Sequence, residues 1–282
     1  MSRIFDTHVH IDKYVAPDPK RLLDSMDKHR IDKVALLAED PEYLLENDYR
    51  KCREYNEARL ERLMQWCEGS DNRLVPIYYI NPVERDAMEQ AEKAVDRGCA
   101  GFKVICETHF PGDERAMPVY QRIADLGKSI LFHSGILWDW GDMSNYNRPC
   151  NFECMMGVEN IKFALAHVSW PWTDECLSVY GKFTNMWQHP SFRNQFMHID
   201  LTPGTPMCYR QDVLDTIHDT DYWGIRDRML FGSDAFTNTF DGEFIASWAK
   251  NDTEMLLKGG FDQETVDKVL YQNAMDFWGL KD

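Results

Sequence analysis

Short apolar runs alternate along the chain with charged stretches of helical spacing. Residues 3–11 (RIFDTHVHI), 33–39 (KVALLAE), 74–81 (LVPIYYIN), 100–107 (AGFKVICE), 129–135 (SILFHSG), 161–168 (IKFALAHV), 195–202 (QFMHIDLT) and 229–235 (MLFGSDA) each have the length and apolar content of a buried strand. Between them lie helical segments. Asp18 is placed to cap the first, which Pro19 opens and Leu22, Leu23 and Met26 continue. The polar stretch 48–68 carries Tyr55, Ala58, Leu63 and Trp66 at helical spacing, and 84–97 is an amphipathic helix closed by Gly98. Further helices are predicted over 118–127, 152–158, 173–184, 210–218, 244–257 and 263–277. Alternation of strand and helix implies a parallel sheet.

Eight such repeats in 282 residues fit an α/β protein of the closed (β/α)8 TIM-barrel kind, a single domain over residues 1–282. No Gly/Ser or Pro linker divides the repeats, and the first strand lacks the glycine-rich turn of a dinucleotide-binding sheet. Loop 138–151, rich in Trp, Asp, Asn and Gly, is longer than an ordinary connection, which marks it as functional.

Composition narrows the partners. A hydrophobic content of 44% supports a sizeable core. The net charge of −16 argues against nucleic acid or an anionic membrane surface as partner and leaves a small molecule; self-association stays open. No apolar run approaches the roughly 18 residues that span a bilayer, and no signal-peptide pattern opens the chain. The eight cysteines contain no Cys-x-x-Cys pair, so reduced thiols and a cytoplasmic location are expected.

In a barrel of this kind the site is built at the C-terminal ends of the strands. His8 and His10 end the first strand, and on alternating strand geometry both imidazoles face one way with Asp6 a step deeper. Lys103 lies within the fourth strand, His133 ends the fifth, His167 the sixth and Asp234 the eighth. Five of these six are metal-ligand types, and all six converge on one mouth. Independent surface histidines would not fall so regularly at strand ends.

These residues give the chain a resemblance to the amidohydrolase superfamily, in its amidohydrolase-related (type 2) branch of decarboxylases and lactone hydrolases. DTHVH from Asp6, the strand-end His133 and His167, and the GSD of Gly232 to Asp234 carry it. The resemblance implies that His8, His10, His133 and Asp234 hold one Zn2+, or another divalent metal such as Mn2+ or Fe2+. It places His167 beside the activated water or the substrate as an acid/base. Such a ligand set leaves a coordination position open for water, whose pKa falls towards about 7, and Asp234 could accept its proton.

In binuclear relatives a lysine ending the fourth strand is carbamylated and bridges two metals. Lys103 is followed by Val104 to Glu107, which would set it too deep to bridge. It is expected instead to anchor a substrate carboxylate or to pair with Glu107 or Asp200. His198 and Asp200 share a face of the seventh strand, where either could line the pocket or form a core pair. Arg148, Trp138, Asp139 and Trp140 lie in the long loop, and Arg148 and Trp138 are expected to close over a planar or anionic ligand. His29, His109, His189 and His218 read as surface residues. The expected activity is hydrolysis of a C–N or C–O bond in a small substrate by metal-activated water. A non-oxidative decarboxylase of a small aromatic or unsaturated acid is the alternative, and a non-catalytic metal- or ligand-binding barrel the third reading.

Overall fold

Every apolar run contributes to one parallel sheet. The computed structural model describes residues 2–41, 49–138, 141–186 and 194–281. Strands β1 (Phe5–His10), β2 (Lys33–Leu37), β3 (Leu74–Tyr79), β4 (Gly101–Val104), β5 (Ser129–Phe132), β6 (Lys162–Leu165) and β7 (Phe196–Asp200) each pair with the next in sequence. The eighth stave is broken in two. β8 (Met229–Leu230) pairs with β7, and β9 (Ala235–Phe236) pairs with β1. Thr7 N donates to Phe231 O between them at 3.0 Å, so the stave closes a (β/α)8 barrel.

The break has a local cause. The Asp6 carboxylate accepts hydrogen bonds from Ser233 N and Ser233 Oγ, which takes residues 232–234 out of the ladder. β1 is itself irregular, because its pairing with β2 shifts register between Asp6 and Val9. The Asp6 carboxylate, which holds Ser233, accepts from His8 N as well.

Around the barrel run α1 (Pro19–His29), α2 (Tyr49–Cys67), α3 (Ala87–Asp96), α4 (Met117–Asp125), α5 (Thr173–Met186), α6 (Met207–Thr220), α7 (Gly242–Lys258), α8 (Gln263–Asp267) and α9 (Asn273–Trp278). Asp18 caps α1 by accepting from Arg21 N, as its position predicts. The expected helix 152–158 is instead part of a 3-10 segment, Pro149–Gly157. The Asn151 amide ties it to the carbonyls of Asn145 and Tyr146, and Asn147 binds Cys106 O and Met143 O, which anchors the connection beyond the end of β4. A π turn, Lys268–Gln272, joins α8 to α9. No helix among the described residues is long and apolar enough to cross a membrane.

Two apolar layers result. The larger lies between the outer face of the barrel and the helices, with Leu36, Tyr78, Phe102, Phe132 and Phe163 facing Leu63, Trp66, Ile123 and Phe183. The smaller fills the lower barrel: Phe5, Ala35, Val75, Leu131, Ala164 and Leu230 meet Tyr271, Ala274, Met275, Phe277 and Trp278 from the C-terminal segment. The end of the chain thus plugs the barrel floor. With the bottom sealed, the opposite mouth is where a ligand can enter.

Candidate active site

Three side chains converge at that mouth from the first and eighth staves. His8 Nε2 and His10 Nε2 are 3.2 Å apart, and Asp234 Oδ1 lies 3.5 Å from the former and 3.3 Å from the latter. Two more imidazoles extend the cluster. The His167 ring centre is 5.4 Å from that of His8, and the His133 ring is 5.0 Å from that of His167. Single donor atoms of His8, His167 and Asp234 all fall within 4.8 Å of one another. His133 Nε2 and His167 Nδ1 are buried with no hydrogen-bond partner among the described residues.

The backbone aims these groups. His133 follows directly on β5, its amide donating to Val104 O at 2.8 Å. Beyond β6 the chain turns into the left-handed region, with φ 62° at His167, 46° at Val168 and 56° at Ser169. Asp234 also has a positive φ, 59°. Left-handed backbone costs roughly 1–2 kcal/mol per non-glycine residue, and such strain concentrates where function dictates geometry. Gly232 lets the eighth stave approach: a Cβ there would stand 2.9 Å from His8 Cβ.

Burial sets the charges. It drives the pKa values of His8 and His133 well below the ordinary imidazole value, and that of His167 down, so these rings are neutral and can act as ligands. Burial pushes the Asp234 carboxyl up, but His10, His8 and His167 outweigh it and hold the group well below the usual carboxylate range. Lys103 is fully buried, and burial brings its ammonium down to about 8 against the pull of Asp234 and Asp200.

Lys103 does not lie too deep. Its four-carbon stem carries Nζ to 3.3 Å from His8 Nε2, among the candidate ligands. Neither Glu107 nor Asp200 is its hydrogen-bonding partner at that position. Trp138, 82% exposed, stands on the rim of the cavity. Arg148 does not line it. The guanidinium pairs with Glu175 at 2.6 Å and lies over Trp172, which accounts for it as a surface contact rather than a ligand clamp. Asp139, Trp140 and His189 lie outside the described residues.

Of the strand-seven pair, Asp200 reaches His8 Nδ1 at 2.8 Å, whereas His198 packs against Phe277 near the floor. His109, read as a surface residue, is buried, and burial takes its pKa down to about 4. The apolar lining was not evident from the sequence: Ile105, Ile136, Leu137, Trp170 and Phe236 wall a cavity of about 250 Å³, and the Phe236 ring stacks on His10 at 5.1 Å. Asp234 is the one carboxylate and Lys103 the one lysine or arginine among its described lining residues.

A barrel with imidazoles and a carboxylate at its C-terminal mouth defines a class, and sequence comparison names it. The family model described as Amidohydrolase matches residues 5–280, so the chain belongs to that family of metal-dependent enzymes. Among solved structures it is similar to 2,6-dihydroxybenzoate decarboxylase from Rhizobium, with 15% identity, a TM-score of 0.69 and 99% of each chain covered. It is also similar to 5-carboxyvanillate decarboxylase from Novosphingobium aromaticivorans with bound manganese, at 10% identity and TM-score 0.66, covering 99% of this chain and 97% of that one. Dihydroorotase from Campylobacter jejuni aligns at 15% identity and TM-score 0.59 over 100% of this chain and 85% of its own. At such identities the likeness concerns the fold. No protein of curated function matches the sequence significantly.

Proposed function

We propose that the chain is a one-metal enzyme that hydrolyses a C–N or C–O bond in a small, flat, acid-bearing substrate. One observation carries the metal. A tetrahedral ion with ligand bonds of about 2.0–2.1 Å separates its donor atoms by roughly 3.3–3.4 Å. The three edges between His8 Nε2, His10 Nε2 and Asp234 Oδ1 are 3.2, 3.5 and 3.3 Å. The fourth donor falls to His133 or to His167, whose buried nitrogens Nε2 and Nδ1 have no partner among the described residues. Zn2+ suits this nitrogen-rich donor set, and Mn2+ or Fe2+ also accepts it.

A divalent ion held there would polarise the substrate and acidify a water at neutral pH. The protein groups supply the rest. Asp234, the one carboxylate among the described lining residues, would be the acceptor of the water's proton. Whichever of His133 and His167 is not a ligand stands as a neutral imidazole whose ring N–H could donate a hydrogen bond to a developing oxyanion. Lys103 Nζ, on the cavity floor, is the counter-charge for a substrate carboxylate. Ile105, Ile136, Leu137 and Phe236 keep bulk water from the reacting atoms.

Decarboxylation of a small aromatic acid is the second reading. It is favoured by the aromatic and aliphatic walls beside one buried lysine, an arrangement suited to a benzoate-like ring. The two decarboxylases of similar fold act on such acids by their names. A panel of lactones, cyclic amides and hydroxybenzoates, offered to Zn2+- and Mn2+-loaded protein, separates the two. The hydrolytic reading expects ring opening of a lactone or amide without release of CO2. CO2 evolution from a hydroxybenzoate would transfer the assignment to the second reading. No turnover of any member by stoichiometrically loaded protein would contradict both.

A further inference from the structure

The far side of His8 is held by strand seven. Asp200 Oδ2 lies 2.8 Å from His8 Nδ1, and neither side chain is exposed to solvent. The other carboxylate oxygen, Oδ1, accepts from Thr202 N at 2.7 Å and from the Thr202 hydroxyl, so the group is fixed at both ends. Thr202 Oγ1 itself stands 3.1 Å from His8 Nδ1. With Oδ1 taken by the two Thr202 donors, Oδ2 faces the ring as an acceptor, so His8 Nδ1 is the nitrogen that carries hydrogen. The opposite side of the ring agrees. Lys103 Nζ, which only donates, is 3.3 Å from His8 Nε2, a distance that calls for a lone pair there.

We infer that Asp200 is a positioning residue: it fixes His8 in the tautomer with hydrogen on Nδ1 and turns the Nε2 lone pair towards the point shared with His10 Nε2 and Asp234 Oδ1. In water the neutral ring favours hydrogen on Nε2, the form that would present no lone pair to the cavity. A buried carboxylate at hydrogen-bonding distance reverses that preference and also blocks rotation of the ring. The consequence for metal affinity rests on the metal reading given above; the tautomer itself does not. Partners of this kind, one bond removed from a metal, typically change affinity 10–100-fold.

The test uses the full-length, metal-free protein labelled with ¹⁵N at histidine. Long-range ¹H–¹⁵N correlation spectra report which ring nitrogen carries hydrogen, and His8 is assigned from the signal lost in His8→Gln. The wild-type spectrum is expected to show His8 with hydrogen on Nδ1. In Asp200→Ala that population should fall, and Zn2+ affinity should drop about 10–100-fold. Asp200→Asn should also lower the Nδ1–H population: the two Thr202 donors hold the amide oxygen at the Oδ1 position, so the NH2 faces His8 Nδ1, which then has to accept. Hydrogen on Nε2 of His8 in the wild type, or an undiminished Nδ1–H population in a folded Asp200→Ala, would overturn the inference. Should Asp200→Ala not fold, the wild-type spectrum decides alone. Hydrogen on Nδ1 in a protein that binds no metal would uphold the positioning role and sink the metal reading separately.

Discussion

Asp234→Ala is expected to weaken divalent-metal binding by more than about 100-fold, since loss of a mere outer partner of a ligand already costs 10–100-fold. The residue has no substitute. It is the one carboxylate among the described residues lining the cavity, and Oδ1 closes the triangle with His8 and His10. Its positive φ and the capture of Ser233 by Asp6 set the orientation of this single side chain. Removing it leaves only imidazole nitrogens, which as ligands bring no charge to compensate that of a divalent ion. Isothermal titration of Zn2+ into metal-free wild type and variant measures the effect, with near-ultraviolet circular dichroism to show that the variant is folded. Unchanged affinity in folded Asp234→Ala would remove this residue from the site. Arg148→Ala is the matched control. Its guanidinium is occupied by Glu175 on the surface, and metal binding should not change.

The second large effect concerns the floor of the barrel. Trp278→Ala should destabilise the protein by about 3–5 kcal/mol, the usual cost of truncating a buried aromatic residue. Trp278 is 3% exposed and lies in one apolar cluster with Phe5, Ala100, Leu131 and Leu230. Gly101 is bare because of it: a Cβ at Gly101 would stand 2.3 Å from the indole Cζ3 and 2.9 Å from Ser129 O. Gly101→Ala alone should therefore cost about 1–3 kcal/mol through overpacking. In the double variant the indole clash disappears, so the added cost of the alanine should shrink, with a coupling of about 0.5–3 kcal/mol. Urea unfolding of the four proteins gives all the terms. Strict additivity would contradict the packing of Trp278 against β4.

Much of this architecture is legible in the chain because a parallel strand buried on both faces must be an unbroken apolar run. The eight runs read from the sequence are the eight staves, and the ligand-type residues that end them do meet at one mouth. Contacts between distant residues were not legible. Asp200 lies 192 residues from His8, and no local pattern distinguishes it from His198, two residues earlier on the same face. The split in the eighth stave depends on Asp6 taking Ser233 from 227 residues away. Lys103 was misjudged in depth because strand position fixes a Cα, whereas a lysine places its charge four carbons further on. Arg148 shows the opposite failure. Its setting among tryptophans suggested a ligand, yet Glu175 on α5 was the nearer charge. The aromatic wall is equally non-local, since Phe236 reaches His10 only because β9 pairs with β1.

The central claim is that one metal ion is held between His8, His10 and Asp234. Anomalous diffraction from crystals of the intact protein grown with Zn2+, recorded on either side of the zinc absorption edge, tests it most directly. A single strong peak is expected about 2.0–2.2 Å from His8 Nε2, His10 Nε2 and Asp234 Oδ1, with His133 or His167 completing the set. No peak at that position in zinc-saturated crystals, or zinc bound elsewhere with these three side chains unengaged, would contradict the account.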